Sequence, residues 1–319
     1  MEHDIPVGEA VPAESGLSGD RLPLVSVIIP VFNEGPRLRS CLNALAGQTY
    51  PKHLYEVIVV DNGSDEPPSW VRDEYPRVML VEESTPGSYA ARNRGIALAK
   101  GDVFAFTDGD CIPDMHWLVY GVQELIREPA IGLIGGHIEF FFQNPEHPTI
   151  AELYDSIMYL NQRAAVERTG FAATANMFTS RKVFQQVGVF DPAVKSGGDR
   201  EWGQRVLSTG LRLVYAEHAV VRHPARDTFE KISRRNIRVL GGHHELHSRE
   251  GRAKRWRQIM KELVFDLSPP VPFVRRLIRD RRVKGAPKKA LVLLMHVRAK
   301  LVKARTRFLL GVGAKPTRS

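Results

Sequence analysis

Asp108-Gly109-Asp110 is the sharpest chemical feature of the sequence. Two carboxylates one residue apart, in a turn after an apolar run, can hold a hard divalent ion. Mn2+ and Mg2+ favour oxygen ligands and keep positions open for substrate phosphates. Aspartate also favours turns and helix starts, so the triplet fits a plain polar turn as well. Asp61 follows the run Val57-Ile58-Val59-Val60 in the same manner, and its plain alternative is a turn or an N-cap. Arg92, Asn93 and Arg94 lie on a predicted helix beginning near Ser88, placed to meet a ribose, a phosphate or the carboxylates, or else to face solvent. In Ser196-Gly197-Gly198-Asp199-Arg200-Glu201-Trp202 the glycines let backbone approach a ligand closely, and Asp199 and Glu201 are candidate general bases. An N-cap aspartate with a first-turn glutamate explains the same pattern. His223 ends a short apolar run and is either a metal ligand or a structural histidine.

These residues need elements to hold them. The run Leu24–Val31 is apolar on consecutive positions and rich in β-branched residues, which suits a strand buried on both faces. Leu38, Cys41, Leu42 and Leu45 follow at helical steps of three and four. Strands are predicted at Val57–Val60, Val78–Val81 and Val103–Thr107, with a helix over Tyr89–Ala99. The alternation predicts an α/β domain with a mostly parallel sheet, in which ligands bind beyond the carboxyl ends of strands. Asn33-Glu34, Asp61-Asn62 and Asp108-Gly109-Asp110 all sit just after strands, which puts them on one rim. Further on, helices are predicted over Trp117–Ile126, Ile150–Val166 and Arg200–Leu207, and strands over Ile131–Phe142 and Leu211–Tyr215.

The chain has 319 residues, is 43% hydrophobic and 25% charged, and carries a formal charge of +9. That charge is uneven: from Arg249 onward there are 21 Lys+Arg against 4 Asp+Glu, a net of +17, and the preceding 248 residues carry −8. An acidic body with a basic tail predicts a polyanionic partner for the tail, nucleic acid or an anionic membrane, unless the tail is simply a solvated basic helix. Three parts are expected: a flexible lead-in at residues 1–22, an α/β catalytic domain at 23–247, and a basic amphipathic helical region at 248–319. Pro269-Pro270-Val271-Pro272 and Gly285-Ala286-Pro287 break that last region into two or three helices. Cys41 and Cys111 form neither a disulfide framework nor a zinc cluster and fit a reducing compartment. No signal peptide is expected, because no basic stretch followed by an apolar run opens the sequence. No apolar stretch reaches the roughly 18 residues of a spanning helix.

Taken together the motifs resemble the family 2 glycosyltransferases of the GT-A fold. The stretches, in order, are Val27–Glu34, Val59–Ser64, Ala91–Ile96, Phe106–Cys111, Ala175–Met177, Gly188–Asp191 and Gly198–Trp202. Their order and spacing cover about residues 24–225. The resemblance implies a Rossmann-like sheet flanked by helices. It implies that Asp61 contacts the nucleotide base, in a pocket lined by Pro30, Asn33 and Glu34. Asp108 would face the ribose, with Arg92 and Asn93 nearby, and Asp110 would bind the metal, with His223 as a further ligand. Asp199 matches the catalytic carboxylate. The usual pattern has an acidic residue directly before it, where this chain has Gly198.

The expected activity is metal-dependent, inverting transfer of a sugar, of hexosyltransferase type, from a nucleotide-diphosphate donor to an acceptor hydroxyl. The setting expected is cell-envelope or extracellular polysaccharide or glycolipid synthesis. The expected cofactor is Mn2+ or Mg2+, the default donor a UDP-sugar, and the acceptor a glycan or lipid-linked molecule. Basic and apolar residues interleave at Arg255–Phe265 and Leu291–Arg305, which predicts attachment to an anionic membrane, with the enzyme cytoplasmic and peripheral on its face. The alternative is a non-catalytic nucleotide-sugar-binding protein, or a nucleic-acid-binding protein with a basic tail. The acidic body and the lack of a zinc-finger or RNA-recognition signature argue against nucleic acid.

Overall fold

The computed structural model describes residues 22–248 and 252–314. Apart from Leu22, the lead-in expected at 1–22 lies outside the described residues. The first part alternates as predicted: β1 (Val25–Val31), α1 (Gly35–Ala46), β2 (Tyr55–Asp61), the short α2 (Val71–Glu74), β3 (Val78–Glu82), α3 (Ser88–Leu98) and β4 (Val103–Thr107). Then come β5 (Ile112–Pro113), α4 (Trp117–Ile126), β6 (Ile131–Phe141) and α5 (Ile150–Met158). A single turn α6 (Gln162–Ala164) runs into a π-helical turn at Ala165–Thr169, followed by β7 (Asn176–Ser180), α7 (Arg181–Val187), α8 (Gly198–Ser208) and β8 (Arg212–Pro224). Four helices close the chain: α9 (Phe229–Ser248), α10 (Arg252–Leu267), α11 (Val271–Arg279) and α12 (Ala286–Gly311).

One sheet holds all the strands, in the order β3-β2-β1-β4-β7-β6-β8-β5. It is mixed. Pairs β1–β2, β2–β3, β1–β4 and β6–β8 are parallel, while β7 runs antiparallel to both neighbours and β5 antiparallel to β8. Side chains alternate across β1: Val25, Val27 and Ile29 enter the core beneath α1 and α4, and Ile28 enters the opposite core beneath α3 and α8. The first core is filled by Leu38, Leu42, Leu45 and Trp117, the second by Phe104, Phe106, Phe184 and Trp202.

Strand β7 and helices α7 and α9 are not among the expected elements, and two expected elements differ in extent. The helix predicted over Ile150–Val166 breaks at Leu160, whose φ is 43°, and restarts where the Asn161 side chain accepts a hydrogen bond from the Ala164 N–H at 3.0 Å. An asparagine oxygen competes for backbone donors and so favours a new cap over a continuous helix. The strand predicted to stop at Tyr215 runs on to Pro224 through a register shift opposite Gly136 and His137. That extension carries His223 to the rim.

The three C-terminal helices break near the predicted prolines, and Pro272 and Pro287 sit in first turns, where a missing N–H is harmless. The inner faces of α11 and α12 share a third core with α5 and α9, built from Leu153, Tyr154, Ile232, Phe273, Leu277 and Val292. Among the described residues no helix is long and apolar enough to cross a membrane.

Candidate active site

The rim expected beyond the strand ends is formed. Asp61, at the end of β2, is buried and accepts a hydrogen bond from the Ser64 hydroxyl at 2.5 Å. Its turn-forming role is therefore real, and its backbone joins β2 to the rim. Asn33 has a φ of 56° and bridges to the neighbouring turn: its N–H donates to Ser64 Oγ and its Nδ2 to Asp65 Oδ2, both at 2.9 Å. Pro30, in β1, lies opposite Val60 in register. Burial pushes the Glu34 carboxyl up to about 7, helped by Asp110 and opposed by Arg37.

The acidic turn follows β4 and is held from below. The Cys111 N–H donates to the Asp108 carbonyl at 3.1 Å, closing the turn. Next along the chain, Ile112 pairs with Arg222, and this short β5–β8 pairing is what brings Asp110 beside His223. Asp108, Asp110, Cys111 and His223 each offer a ligand atom within 4.8 Å of the others. The buried His223 places Nδ1 2.8 Å from the Pro224 carbonyl oxygen. A carbonyl only accepts, so Nδ1 carries the proton and Nε2 keeps its lone pair for a ligand. Burial, and then Asp110 and Asp108, hold the Cys111 thiol well above its ordinary pKa, so it stays neutral. Two carboxylates and one imidazole are the donor set that remains, and it suits Mn2+ or Mg2+.

The carboxylate at 199 joins this group through two side chains. Arg92 is buried, and its Nη2 donates to Asp108 Oδ1 at 2.5 Å. Its Nε is buried with no hydrogen-bond partner among the described residues. The same guanidinium lies 5.7 Å from the Tyr89 ring centroid. Tyr89 donates its hydroxyl proton to Asp199 Oδ1 at 3.2 Å, and its oxygen accepts from the Asp199 N–H at 3.1 Å. Burial raises the Asp199 carboxyl above its ordinary value. The Arg200 N–H, Arg92 and the Tyr89 hydroxyl pull the other way. In its ionised form a carboxylate in this place could accept a proton.

Other expected residues do different work. Asn93 uses both ends of its amide on Phe190, donating to its carbonyl at 2.8 Å and accepting from its N–H at 3.1 Å, so it pins the 188–191 segment. Glu201 is taken by Arg205 at 2.8 Å. Tyr89 was not singled out from the sequence: its only signal is a position three residues before Arg92. Gly198 now has a physical reason. A Cβ there would come within 2.8 Å of the Tyr89 ring, so the residue expected to be acidic gives way to the tyrosine. Asn176, from the Ala175-Asn176-Met177 stretch, is an organiser: it accepts from Trp117 Nε1 and donates to the His137 and Ala219 carbonyls, all at 2.8 Å.

Comparison with known proteins finds relatives by sequence and by fold. Residues 26–188 match the family described as glycosyl transferase family 2. The glycosyltransferase AglE of Haloferax volcanii is 40% identical over 226 residues, spanning 69% of this chain and 73% of that protein. The pre-mycofactocin glycosyltransferase of Mycobacterium tuberculosis is 29% identical over 209 residues, 63% of this chain and 43% of that protein. The fold resembles the mannosyltransferase PcManGT from Pyrobaculum calidifontis, solved with GDP-Man and Mn2+, at a TM-score of 0.60 and 22% identity over 91% of this chain and 87% of that one.

Proposed function

Because the chain belongs to glycosyl transferase family 2, with a fold of the GT-A type, we propose that it moves a sugar from a nucleotide-diphosphate donor to an acceptor hydroxyl with inversion. The observation that carries this reading is the unbroken run of contacts from Asp108 through Arg92 and Tyr89 to Asp199, with Asp110 and His223 alongside. Asp110 and His223, with Asp108, would hold the divalent ion. When bound, the ion offsets the charge that builds on the departing nucleoside diphosphate. Arg92 orients Asp108 toward the ribose through its Nη2 hydrogen bond. Asp61 and the Asn33–Ser64 bridge form the nucleoside end of the cleft. Asp199 takes the proton of the attacking hydroxyl, in line with the leaving group. The similarity to a GDP-Man complex supports a guanosine donor alongside the UDP-sugar default.

The catalytic domain is assigned to residues 23–247 and the basic helical region to 248–319. That region exposes Phe265, Leu267, Ile278, Leu294, Leu301 and Phe308 among its cations, which supports attachment to the surface of an anionic membrane. A glycan or lipid-linked acceptor in cell-envelope synthesis, on the cytoplasmic face, fits that placement.

The test is release of nucleoside diphosphate from the common nucleotide sugars with Mn2+ and acceptor. Asp199→Asn is expected to lose activity by about a hundredfold or more while donor KM stays close to wild type. Asp110→Asn is expected to lose the response to Mn2+. Equal turnover by all three proteins would overturn the assignment.

A further inference from the structure

A cavity of about 340 Å³ opens beside Asp110 and His223. Its walls carry six cations: Arg37 from α1, Arg226 from the segment after β8, and Lys231, Arg234, Arg235 and Arg238 from α9. Only three acidic residues, Glu34, Asp110 and Asp227, share the lining, and Asp110 belongs to the ion.

Two of the cations are fixed rigidly. The fully buried Asp155 accepts from Arg235 Nη1 at 2.5 Å, from the Arg226 N–H at 3.0 Å and from Arg226 Nη1 at 3.4 Å. Both guanidiniums also stack on the Tyr159 ring, at 4.8 and 3.9 Å from its centroid. One carboxylate between two guanidiniums leaves positive charge over, and planar guanidiniums held in place are suited to phosphate oxygens.

The direction of α9 says which phosphate. At 3.6 residues per turn, Lys231, Arg235, Arg238 and Gly242 lie on one stripe of the helix, with Arg234 at its edge. At Gly242 this stripe presses on the loop before Asp199: a Cβ there would lie 2.4 Å from the Ser196 carbonyl oxygen. Close by, Lys195 and Glu245 pair at 3.1 Å. One helix face thus runs from the cation-lined cavity to the loop of the base. Arg238 stands one turn, about 6 Å along the axis, from the contact with that loop.

We propose that this cavity binds a phosphate carried by the acceptor, on the same wall as Asp199, so that the acceptor hydroxyl is presented to the base. The proposal rests on the glycosyl-transfer reading of the cleft. It names the acceptor class: a hydroxyl compound bearing a phosphate group within about one sugar ring of the reacting oxygen.

The test is calorimetric titration of the full chain and of Arg234→Gln/Arg238→Gln, two exposed positions, with the circular dichroism of the variant checked against wild type. The probes are GDP or UDP with Mn2+, decyl phosphate below its micellar concentration, and inorganic phosphate. Decyl phosphate is expected to bind the wild type both alone and with nucleoside diphosphate and Mn2+ already bound. Its affinity is expected to fall by about tenfold or more in the double variant, as for lost charged hydrogen bonds. Nucleoside diphosphate affinity should stay within about threefold, since a factor of that size is under one lost hydrogen bond. Inorganic phosphate competing with decyl phosphate supports recognition of the headgroup itself. Three results would overturn the proposal: decyl phosphate binding both proteins equally, failing to bind the wild type, or being displaced by nucleoside diphosphate. A parallel loss of nucleoside diphosphate affinity would do so too, by giving the cavity to the donor. If nucleoside diphosphate with Mn2+ binds neither protein, the glycosyl-transfer reading fails separately from the phosphate result.

Discussion

Tyr89 is the residue on which the geometry of the base depends. Its hydroxyl both donates to the Asp199 carboxylate and accepts from the Asp199 N–H, so it fixes the side chain and favours the ionised form. Removing that hydroxyl leaves burial, which raises the carboxyl, less opposed. Tyr89→Phe is therefore expected to move the acid limb of the pH–rate profile upward and to lower kcat at neutral pH with little change in donor KM. An acid limb that stays in place would contradict the link between Tyr89 and Asp199. At this scale the sequence was most informative where a side chain does one job. Asp108, Asp110 and His223 were singled out because they close strand-like apolar runs, and the fold brings a ligand atom of each within 4.8 Å of the others. The work of Asn93 was not readable, since an amide on a helix can face a ligand or a backbone with the same spelling, and here it holds Phe190. Gly198 read as a departure from the family pattern only because the Tyr89 ring that fills its side-chain space comes from a distant helix.

The elements were legible where their apolar period was strong. β1, β2, β3, β4, α3 and α4 fall within a residue or two of expectation. β7 was not expected as a strand, because Asn176, Thr179 and Ser180 interrupt its apolar run, and its reversed direction was equally hidden, since an apolar run reads alike in a parallel or an antiparallel strand. The extension of β8 past Tyr215 was hidden by the polar residues Glu217 and His218, which are exposed within the irregular stretch of the strand. Helix α12 shows how a polar residue can sit in a helical core. His296 stacks on Phe273 with centroids 3.9 Å apart, and its buried Nδ1 has no partner among the described residues. Burial, with Lys303, Lys300 and Arg276 nearby, lowers its pKa from 6.5 to about 4. As pH falls through about 6.5 the unfolded chain takes up a proton that the folded one refuses until about 4. Stability is thus lost across that window as pH falls, by up to about 3 kcal/mol. His296→Phe keeps the stack and cannot protonate. Urea unfolding at pH 7 and pH 4.5 should show the variant losing less stability than wild type; equal losses would contradict the account.

Across the whole molecule, the acidic body and the basic helices form one packed unit, because the inner faces of α11 and α12 are spent on α5 and α9. Ion pairs add to this: Arg307 pairs with Glu262 and Asp266, tying α12 to α10. The outer faces remain apolar and cationic, with Phe265 and Phe308 among the most exposed large side chains. Flotation with anionic vesicles should therefore carry the full chain, and Phe265→Asp/Leu301→Asp/Phe308→Asp should stay behind while folding normally. Since each basic residue near such a surface contributes about 1 kcal/mol, binding should also weaken sharply with salt. Equal flotation of variant and wild type would remove the membrane from the picture.

The proposal that Asp108, Asp110 and His223 hold one ion, linked through Arg92 and Tyr89 to Asp199, carries all the rest. Diffraction from crystals grown with Mn2+ and a nucleoside diphosphate, recorded at the manganese absorption edge, measures it directly. The account predicts one anomalous peak bonded to Asp110 and to His223 Nε2, with the diphosphate against it. A peak elsewhere, or a diphosphate bound away from these side chains, would contradict it.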